Sequence, residues 1–240
     1  MEDNNTNDKD SYLESNWDQS VQKFEDLNLN PDLLRGIFGY GFVKPSIIQQ
    51  KGILPLIQRK DTIAQAQSGS GKTATFSIGI LQIIEPAEAK IQAMVLAPTR
   101  ELATQIKTVM QCLGTYLNIK VHLCTGGTDI GEDRRALQDG VHIIVGTPGR
   151  VFDMIKREYL NTNYLRILVL DEADEMLGRG FLDQVNDILK QVPSDTQIGL
   201  FSATMPPEII KMTEGIMNEP AKILVKNEDI TLKGKFPSPS

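Results

Sequence analysis

Seven short apolar runs recur along the chain, and stretches with helical spacing lie between several of them. The runs are rich in Val, Ile and Leu, which is typical of strands that are buried on both faces. They cover residues 62–64, 93–97, 121–124, 142–145, 167–170, 198–201 and 223–225. Amphipathic helical spacing is found at residues 100–113, 132–138 and 180–191. This alternation predicts an α/β fold, in which helices cover both faces of a parallel sheet.

The two ends of the chain differ in composition from the part between them. Residues 1–20 are rich in Asn, Asp and Ser and hold six acidic side chains and one basic one, which predicts a flexible, solvated arm. Trp17 is an exception that could dock on the domain. Residues 227–240 show no apolar period and are typical of a linker or a tail. Residues 21–226 are therefore expected to form one folded domain.

Composition favours the soluble globular class, since 40% of the residues are apolar and 23% are charged. No apolar run approaches the length that crosses a bilayer, and the polar start of the chain is not typical of a secretory signal. Cys112 and Cys124 are too few for a disulfide framework or a zinc site. We therefore expect an intracellular, reducing location and no membrane.

Net charge alone does not decide whether the chain binds nucleic acid. The value of −6 argues at first against a phosphate-rich partner, which would favour Lys and Arg. Most of the excess lies in residues 1–20, however, and the rest of the chain is close to neutral. A nearly neutral domain can still present a basic groove on one face.

A glycine-rich octapeptide follows the first apolar run and opens the next helical stretch. It reads Ala-Gln-Ser-Gly-Ser-Gly-Lys-Thr and covers residues 66–73. This is the pattern of a phosphate-binding loop, except that Ala66 stands where the first glycine is usual. A chance Gly/Ser turn before a helix is the alternative, and the position between a strand and a helix favours phosphate binding.

Each residue type in this loop suits a nucleotide phosphate chain. Gly69 and Gly71, on either side of Ser70, carry no side chains, so backbone N–H groups can turn toward the phosphates. The helix that begins here adds the positive end of its dipole. Lys72 is expected to neutralise the β- and γ-phosphates, and the Thr73 hydroxyl to bind Mg²⁺.

Two carboxylates follow the apolar run at 167–170 directly. In a parallel sheet, Asp171 and Glu172 would stand at the carboxyl edge and face the phosphate loop. Asp171 is expected to hold Mg²⁺, and Glu172 to orient and deprotonate the attacking water. A solvated acidic helix start is the alternative. Beside a phosphate loop, the pair predicts an ATPase that uses ATP and Mg²⁺.

The residues of further motifs, and their order along the chain, indicate which class of ATPase this is. Residues 171–174 read Asp-Glu-Ala-Asp, and the chain resembles the DEAD-box RNA helicases that are named after this motif. Other stretches that resemble motifs of this family stand in family order at residues 41–49, 98–103, 126–127, 147–150 and 202–204. The resemblance covers residues 24–225 and implies a single RecA-like domain, with RNA-dependent ATP hydrolysis as its activity.

The resemblance implies which residues contact the adenine base and which residues couple ATP binding to RNA binding. Gln49 looks like the family's adenine reader, and Phe24 looks like the aromatic ring on which adenine stacks, with ordinary packing as the alternative for Phe24. Ser202 and Thr204 resemble the hydroxyl pair that bonds to Asp174 and couples ATP state to RNA binding. Helix capping is the alternative for the two hydroxyls.

RNA contacts are likewise implied by the resemblance. Nine residues in three segments correspond to the family's contacts with the RNA backbone: Pro98, Thr99, Arg100, Gly126, Gly127, Thr147, Pro148, Gly149 and Arg150. Glycines and helix starts offer N–H groups to phosphate, and arginines offer charge, so little sequence preference is expected. A structural salt bridge is the alternative for each arginine.

Within the family, residues 14–17, 33–42 and 63–76 look closest to the helicases of translation initiation, although a helicase of the exon junction complex shares much of them. The family closes two RecA-like domains over ATP and RNA, and nothing after Val225 resembles the second. We therefore expect the ATP-binding half of a longer cytoplasmic protein, nearly inactive alone.

Three kinds of partner follow from the resemblance: RNA, a carboxy-terminal RecA-like domain of the same protein, and translation initiation scaffold proteins. An ATP-switched RNA clamp of an exon-junction type complex is the alternative function, because the same motifs serve both. A metabolic P-loop kinase is disfavoured by Gln49 and by residues 147–150 and 202–204.

Overall fold

Seven strands form among residues 13–226, the part of the chain that this computed structural model describes. They are β1 Thr62–Gln65, β2 Ala93–Leu96, β3 Val121–Cys124, β4 Ile143–Gly146, β5 Ile167–Asp171, β6 Gln197–Ser202 and β7 Ala221–Leu224. All pair in parallel in one sheet, with the order β3-β4-β2-β5-β6-β1-β7. Each predicted strand is present, with its ends moved by two residues at most.

Helices connect the strands in the alternating order expected for an α/β fold. The described residues form a short 3₁₀ helix, Phe24–Leu27, and then α1 Pro31–Tyr40, α2 Ile47–Ile57, α3 Lys72–Ile83, α4 Arg100–Leu113, α5 Ile130–Gln138, α6 Pro148–Lys156, α7 Ala173–Gly178, α8 Leu182–Leu189 and α9 Pro207–Ile216. None of these helices combines the length and the apolar character that a bilayer crossing requires. The bounds of α4 match the prediction because Thr99 caps its start, where the side chain accepts a hydrogen bond from Leu102 N–H.

Two apolar cores lie on opposite faces of the sheet, and successive strand residues alternate between them. In β5, Ile167 and Val169 pack into the core that contains α1–α4, whereas Leu168 and Leu170 pack into the core that contains α6–α9. The other central strands alternate in the same way, which is why the strands read as continuous apolar runs. The predicted fold, a parallel sheet with helices on both faces, is confirmed.

Residues 13–17 lie against the domain, which corrects the expectation of a solvated arm for this part of residues 1–20. Asn16 N–H donates to Lys222 O (3.2 Å), and Lys222 N–H donates to the Asn16 side-chain oxygen (2.7 Å). Trp17 packs on the core, as the sequence allowed. Because β7 is an edge strand, its unpaired backbone groups gain partners in this way. The rest of the expected arm, residues 1–12, and the expected tail, residues 227–240, lie outside the described residues.

The packing of α1 on α4 supplies a test of the fold. A Cβ atom at Gly36 would lie 2.0 Å from Leu113 O, whereas a Cβ atom at Gly39, on the same helix, would meet nothing within 4 Å. We expect Gly36→Ala to lower the free energy of unfolding by about 2–3 kcal/mol, the scale of overpacking. Gly39→Ala should change it by less than about 1 kcal/mol in either direction. Urea unfolding followed by circular dichroism measures both, and equal stabilities would contradict the close approach of these helices.

Candidate active site

The predicted site residues gather at one edge of the sheet, where the carboxyl ends of the strands meet. Only Phe24 and Gln49 come from elements that precede β1. Because β3, β4 and β2 are neighbours, the three predicted RNA segments lie side by side on one half of this edge. The segments that follow β5, β6 and β1 lie on the other half. The strand order therefore separates the predicted RNA residues from the predicted nucleotide residues and places the segment after β5 between them.

The glycine-rich loop is held in shape from the start of α2. Gly69 and Gly71 adopt left-handed backbone angles, with φ of +79° and +100°. Ser46 Oγ donates to Ser70 O (2.9 Å), and Gln49 Nε2 donates to Gly71 O (3.4 Å). A Cβ atom at Gly71 would lie 2.7 Å from Gln49 Nε2, so a larger residue would push the loop away from α2. The Ser70 hydroxyl is buried and has no partner among the described residues.

Lys72 and Glu172 meet across the site although 100 residues separate them. Lys72 Nζ lies 3.0 Å from Glu172 Oε1, and Ser68 Oγ donates to the same oxygen (3.4 Å). Glu172 has a left-handed φ of +49°, an unusual conformation for a residue with a side chain. Such strained positions concentrate at functional sites. The loop after β1 and the carboxylates at the end of β5 therefore lie together, as expected from their positions at the ends of two parallel strands.

Asp171 is the most deeply buried carboxylate of this site, with 1% of its surface exposed. Burial is the main cause that raises its pKa from 3.8 to about 7, whereas the charge of Lys72 lowers this pKa and the charge of Glu172 raises it. Its Oδ1 accepts a hydrogen bond from Glu172 N–H (3.0 Å). A carboxylate that is costly to ionise in this way is stabilised by a nearby cation.

The donor set suits Mg²⁺. Thr73 stands in the first turn of α3, and its hydroxyl together with the Asp171 carboxylate offers the oxygen ligands that Mg²⁺ prefers. Among residues 13–226 there is no cluster of three or more His, Cys, Asp or Glu side chains that could enclose a metal. Thr73 and Asp171 would hold a magnesium ion together with substrate phosphates.

Asp174 is bonded to the segment that follows β6. Its N–H donates to Ser202 Oγ (3.1 Å), and its Oδ2 accepts from Thr204 N (3.1 Å) and Thr204 Oγ1 (2.9 Å). The structure thus brings together the three residues that the sequence grouped. These three bonds tie the Asp171–Asp174 segment to residues 202–204.

The predicted RNA half of the edge consists of helix starts and exposed glycines. Gly126, Gly127 and Gly149 are exposed, and Arg100 is exposed at the start of α4. Arg100 Nη1 lies 3.5 Å from where a Cβ atom of Gly127 would be, so the two segments are in contact range. These features offer backbone N–H groups and one positive charge on a shared surface.

The loop after β4 adds another helix start. Thr147 precedes α6 as its N-cap residue but makes no capping bond with its side chain, and Pro148 occupies the first turn. Pro98 and Pro148 are buried, whereas Thr99 and Thr147 are partly exposed. The two prolines therefore fix the backbone, and the residues next to them form the surface.

Arg150 differs from its predicted role of contacting RNA. Its Nη1 lies 2.7 Å from Asp133 Oδ2, its Nη2 donates to Thr128 O (2.8 Å), and only 11% of its side chain is exposed. Asp133 is itself buried and lies 2.7 Å from His122 Nε2. A buried carboxylate requires such partners, and removing one is strongly destabilising. The correction is that Arg150 fixes the glycine loop through Thr128 and does not offer a free charge.

Phe24 is also corrected. Its ring is fully buried in the core, with centroids 6.5 Å from Phe38 and 6.3 Å from Phe42. A ring with no exposed face cannot stack on a base, so the packing alternative describes Phe24. Phe42 is partly exposed, and its ring centroid lies 6.3 Å from that of Phe24 and 4.9 Å from that of Tyr40.

Gln49 is buried, and only part of the hydrogen-bonding capacity of its side-chain amide is taken up by the protein. Its Oε1 accepts from Ser46 N–H (2.9 Å), and its Nε2 donates to Gly71 O. A side-chain amide has two acceptor positions and two N–H groups. One acceptor position and one N–H group therefore remain. An acceptor and a donor side by side are what is needed to recognise one edge of an adenine base.

Comparison with known proteins agrees with this arrangement. Residues 46–213 match the family model described as DEAD/DEAH box helicase. The chain belongs to this family. It is 54% identical to eukaryotic initiation factor 4A of Drosophila melanogaster over 225 residues, which are 94% of this chain and 56% of that protein. It is 55% identical to eukaryotic initiation factor 4A-3 of Arabidopsis thaliana over 220 residues, 92% of this chain and 53% of that one. The chain thus spans about half the length of the curated relatives it matches.

Solved structures of DEAD-box proteins have the same fold. A DEAD box protein from the hyperthermophile Methanococcus jannaschii superposes with a TM-score of 0.84 at 39% identity, covering 86% of this chain and 57% of that chain. Dbp5 of Saccharomyces cerevisiae, bound to Gle1 and IP6, superposes with a TM-score of 0.79 at 35% identity, covering 88% and 54%. The RecA-like fold implied by the sequence resemblance is confirmed.

Several residues of this DEAD-box site were missed from the sequence. Ser46 supports the phosphate loop, Asp133 holds Arg150, and Phe42 presents a partly exposed ring beside Phe24. Ser46 and Phe42 stand inside the motif at 41–49, so their position there could have singled them out. The sequence around Asp133 does not indicate its role, because its partner Arg150 lies on another helix.

The raised pKa of Asp171 makes the stability of the chain depend on pH. Between 3.8 and about 7 the folded state binds more protons at this group than the unfolded state, so stability falls as pH rises through that window. We expect the chain to lose about 1 kcal/mol of unfolding free energy between pH 6 and pH 8, relative to Asp171→Asn, in the absence of Mg²⁺.

Urea unfolding at several pH values, without nucleotide, measures this difference. Asp183→Asn, at an exposed position on α8, is the matched control and should follow the pH dependence of the parent chain. Parallel curves for the parent and Asp171→Asn would contradict the shift.

Proposed function

We propose that this chain is the ATP-binding half of an ATP-dependent RNA helicase of translation initiation, which unwinds structure in messenger RNA leaders. The observation that carries the proposal is the 3.0 Å contact between Lys72 Nζ and Glu172 Oε1, because it joins the phosphate loop and the DEAD segment in one site. The relatives named as initiation factor 4A support the link to translation. Translation initiation places the protein in the cytoplasm.

Nucleotide binding is proposed to rearrange the charges of this site. The phosphates of ATP compete with Glu172 for the Lys72 ammonium group, so Glu172 is released toward the attacking water. The N–H groups of the loop and the start of α3 bind the phosphate oxygens. Thr73 and Asp171 would hold Mg²⁺, which would supply positive charge beside the phosphates. Glu172 then accepts a proton from the water as the water oxygen bonds to the γ-phosphorus, while the bond from the γ-phosphorus to the bridging oxygen breaks and ADP leaves.

The base is proposed to bind between Gln49 and Phe42. The free N–H and the free acceptor of the Gln49 amide match the acceptor and the donor on one edge of adenine. Phe42 provides the partly exposed ring for stacking, with the buried Phe24 behind it. This assigns base recognition and base stacking to two residues of one motif.

RNA is proposed to bind along the edge formed by the segments after β2, β3 and β4. The N–H groups at the starts of α4 and α6 and at Gly126 and Gly127 face the backbone phosphates, while Arg100 adds charge. Arg150 keeps the glycine loop in position through Thr128. Contacts of this kind read phosphate and sugar, so binding has little sequence preference.

Coupling between the two substrates is proposed to run through Asp174, Ser202 and Thr204. Their hydrogen bonds connect the catalytic carboxylates to the loop after β6. The carboxy-terminal RecA-like domain completes the site by supplying arginines to the phosphates, and translation initiation scaffold proteins bring the two domains together. An RNA clamp of an exon-junction type complex has the same chemistry, and RNA release after hydrolysis distinguishes the helicase from the clamp.

The proposal predicts how the activity divides between the two domains. This chain alone should bind adenine nucleotides and hydrolyse ATP barely above background, with no stimulation by single-stranded RNA. Joining it to the carboxy-terminal domain of the longer protein should raise turnover by about 10³–10⁵, the worth of a supplied arginine in related phosphoryl transfers. ATP turnover with and without RNA is the measurement.

Glu172→Gln is the control in the two-domain protein. It should retain ADP affinity and lose at least about 10² in turnover, the usual worth of a positioned base. Strong RNA-stimulated turnover by the chain alone would contradict the need for a second domain. Absence of RNA stimulation in the joined protein would contradict the helicase proposal itself.

A further prediction concerns the base. The chain should bind ADP more tightly than GDP by about 1–3 kcal/mol if Gln49 pairs with adenine. Phe42→Ala should weaken both nucleotides by about 1–3 kcal/mol, because stacking does not read base identity. Calorimetric titration measures both effects. Phe24→Leu is the matched control, since it should lower stability and leave nucleotide affinity close to that of the parent chain. Equal affinities for ADP and GDP would rule out the role of Gln49.

A further inference from the structure

Gln65 stands at the junction of the phosphate loop and the coupling segment, and the catalytic steps above do not use it. It is the last residue of β1 and pairs with Ser202 in the parallel register of β1 and β6. The next residue, Ala66, begins the phosphate loop, and its N–H donates to Ser202 O (3.0 Å). The Gln65 side chain is buried, with 6% of the residue exposed.

The amide group of Gln65 connects two segments that are distant in sequence. Its Oε1 accepts from Leu13 N–H (2.9 Å), and its Nε2 donates to Ala203 O (3.3 Å). Ala203 lies between Ser202 and Thr204, the two residues that bond to Asp174. One end of the amide group therefore holds the N-terminal part of the chain, and the other end holds the backbone of the coupling segment.

Residues 13–17, which we call the N-terminal strap, are fixed on the sheet by further bonds. Asn16 makes three of them, to Lys222 O, to Lys222 N–H and, through its side-chain amide, to Pro220 O (3.1 Å). Ser15 Oγ donates to Lys222 O (3.0 Å). Leu13 is buried in the core on the side of α6–α9. The strap is thus an ordered part of the domain at β7 and at Gln65.

The chemistry of Gln65 fits a positioning role. An apolar side chain of the same length would leave Leu13 N–H and Ala203 O without their partners, and an unsatisfied buried polar group is costly. The Ala203 carbonyl lies one residue from the hydroxyls of Ser202 and Thr204. Fixing its direction therefore restricts the backbone angles that place both hydroxyls on Asp174.

We propose that Gln65 is a positioning residue for the coupling segment 202–204, and that the N-terminal strap holds Gln65 in the orientation this requires. The contacts run from the strap to Gln65, from Gln65 to Ala203, and from the neighbours of Ala203 to Asp174. The role of Gln65 in coupling ATP binding to RNA binding rests on the proposed function, whereas its positioning of residues 202–204 does not.

Amide hydrogen exchange of the chain alone, resolved by NMR, tests the positioning without nucleotide or RNA. In Gln65→Met, the amides of Asp174 and Thr204 should exchange about five- to tenfold faster, the effect of losing one hydrogen bond nearby. In Asn16→Ala, the Lys222 amide loses its acceptor, the Leu13 amide should exchange faster as the strap loosens, and the Thr204 amide should follow. The Lys120 amide, bonded to His142 on the far side of the sheet, should be unchanged in both variants.

Gln197→Met is the matched control. Gln197 is equally buried, and its Nε2 donates to Leu56 O (3.0 Å) and Lys60 O (2.8 Å) at the opposite end of β6. It should lower global stability without faster exchange at Asp174 and Thr204. Equal acceleration in Gln197→Met and Gln65→Met would overturn the positioning role. A Thr204 amide that is unchanged in Asn16→Ala, while the Leu13 amide accelerates, would overturn the role of the strap.

The two-domain protein tests the consequence for function. The factor by which RNA tightens ATP binding should fall about threefold or more in Gln65→Met relative to Gln197→Met, since coupling is a difference in binding free energy between sites. An equal factor in the two variants would overturn the link between positioning and coupling. If RNA does not tighten ATP binding in the parent protein, the proposed function fails. The hydrogen-exchange measurements then still show whether Gln65 positions residues 202–204.

Discussion

The parallel pairing of β1, β6 and β5 as neighbours is the constraint on which the site depends. It sets Gln65 beside Ser202 and Asp171 beside Phe201, so three loops start from the same edge of the sheet. Segments that are 100 residues apart in the chain then come within hydrogen-bond distance, as Lys72 and Glu172 do. Each of these strands is buried on both faces, so the apolar cores hold the edge rigid while its loops stay accessible.

Three carboxylates within four residues acquire different properties because each has a different environment. Asp171 is buried at the end of β5, and this burial raises its pKa to about 7. Glu172 turns into the site through its left-handed backbone and meets Lys72. Asp174 is bonded instead by hydroxyl and backbone donors of the loop after β6. The metal binding, water activation and coupling that we propose for the DEAD motif therefore fall on three carboxylates with three different sets of contacts.

The sequence predicted the regular elements better than the contacts of single side chains. Apolar runs predicted all seven strands, because a strand that is buried on both faces consists of consecutive apolar residues. Phe24 was misassigned, since a single aromatic residue does not show whether its ring faces the core or a ligand. The partner of Arg150 lies on α5, and no local pattern indicates a bond between helices. The strap was missed because its polar composition is typical of disorder, while its order comes from specific bonds to an edge strand.

Those same side-chain bonds explain why this edge can respond to ligands. A loop at the end of a strand has no regular backbone bonds to fix it, so neighbouring side chains must do so. Ser46 holds the phosphate loop, Arg150 holds the glycine loop, and Gln65 holds the segment at 202–204. A single hydrogen bond contributes only about 0.5–1.5 kcal/mol, which is small beside the binding free energy of a nucleotide or of RNA. A ligand that bonds to one loop can therefore displace such a contact, and the rigid sheet beneath confines the resulting shift to the loops that share the edge.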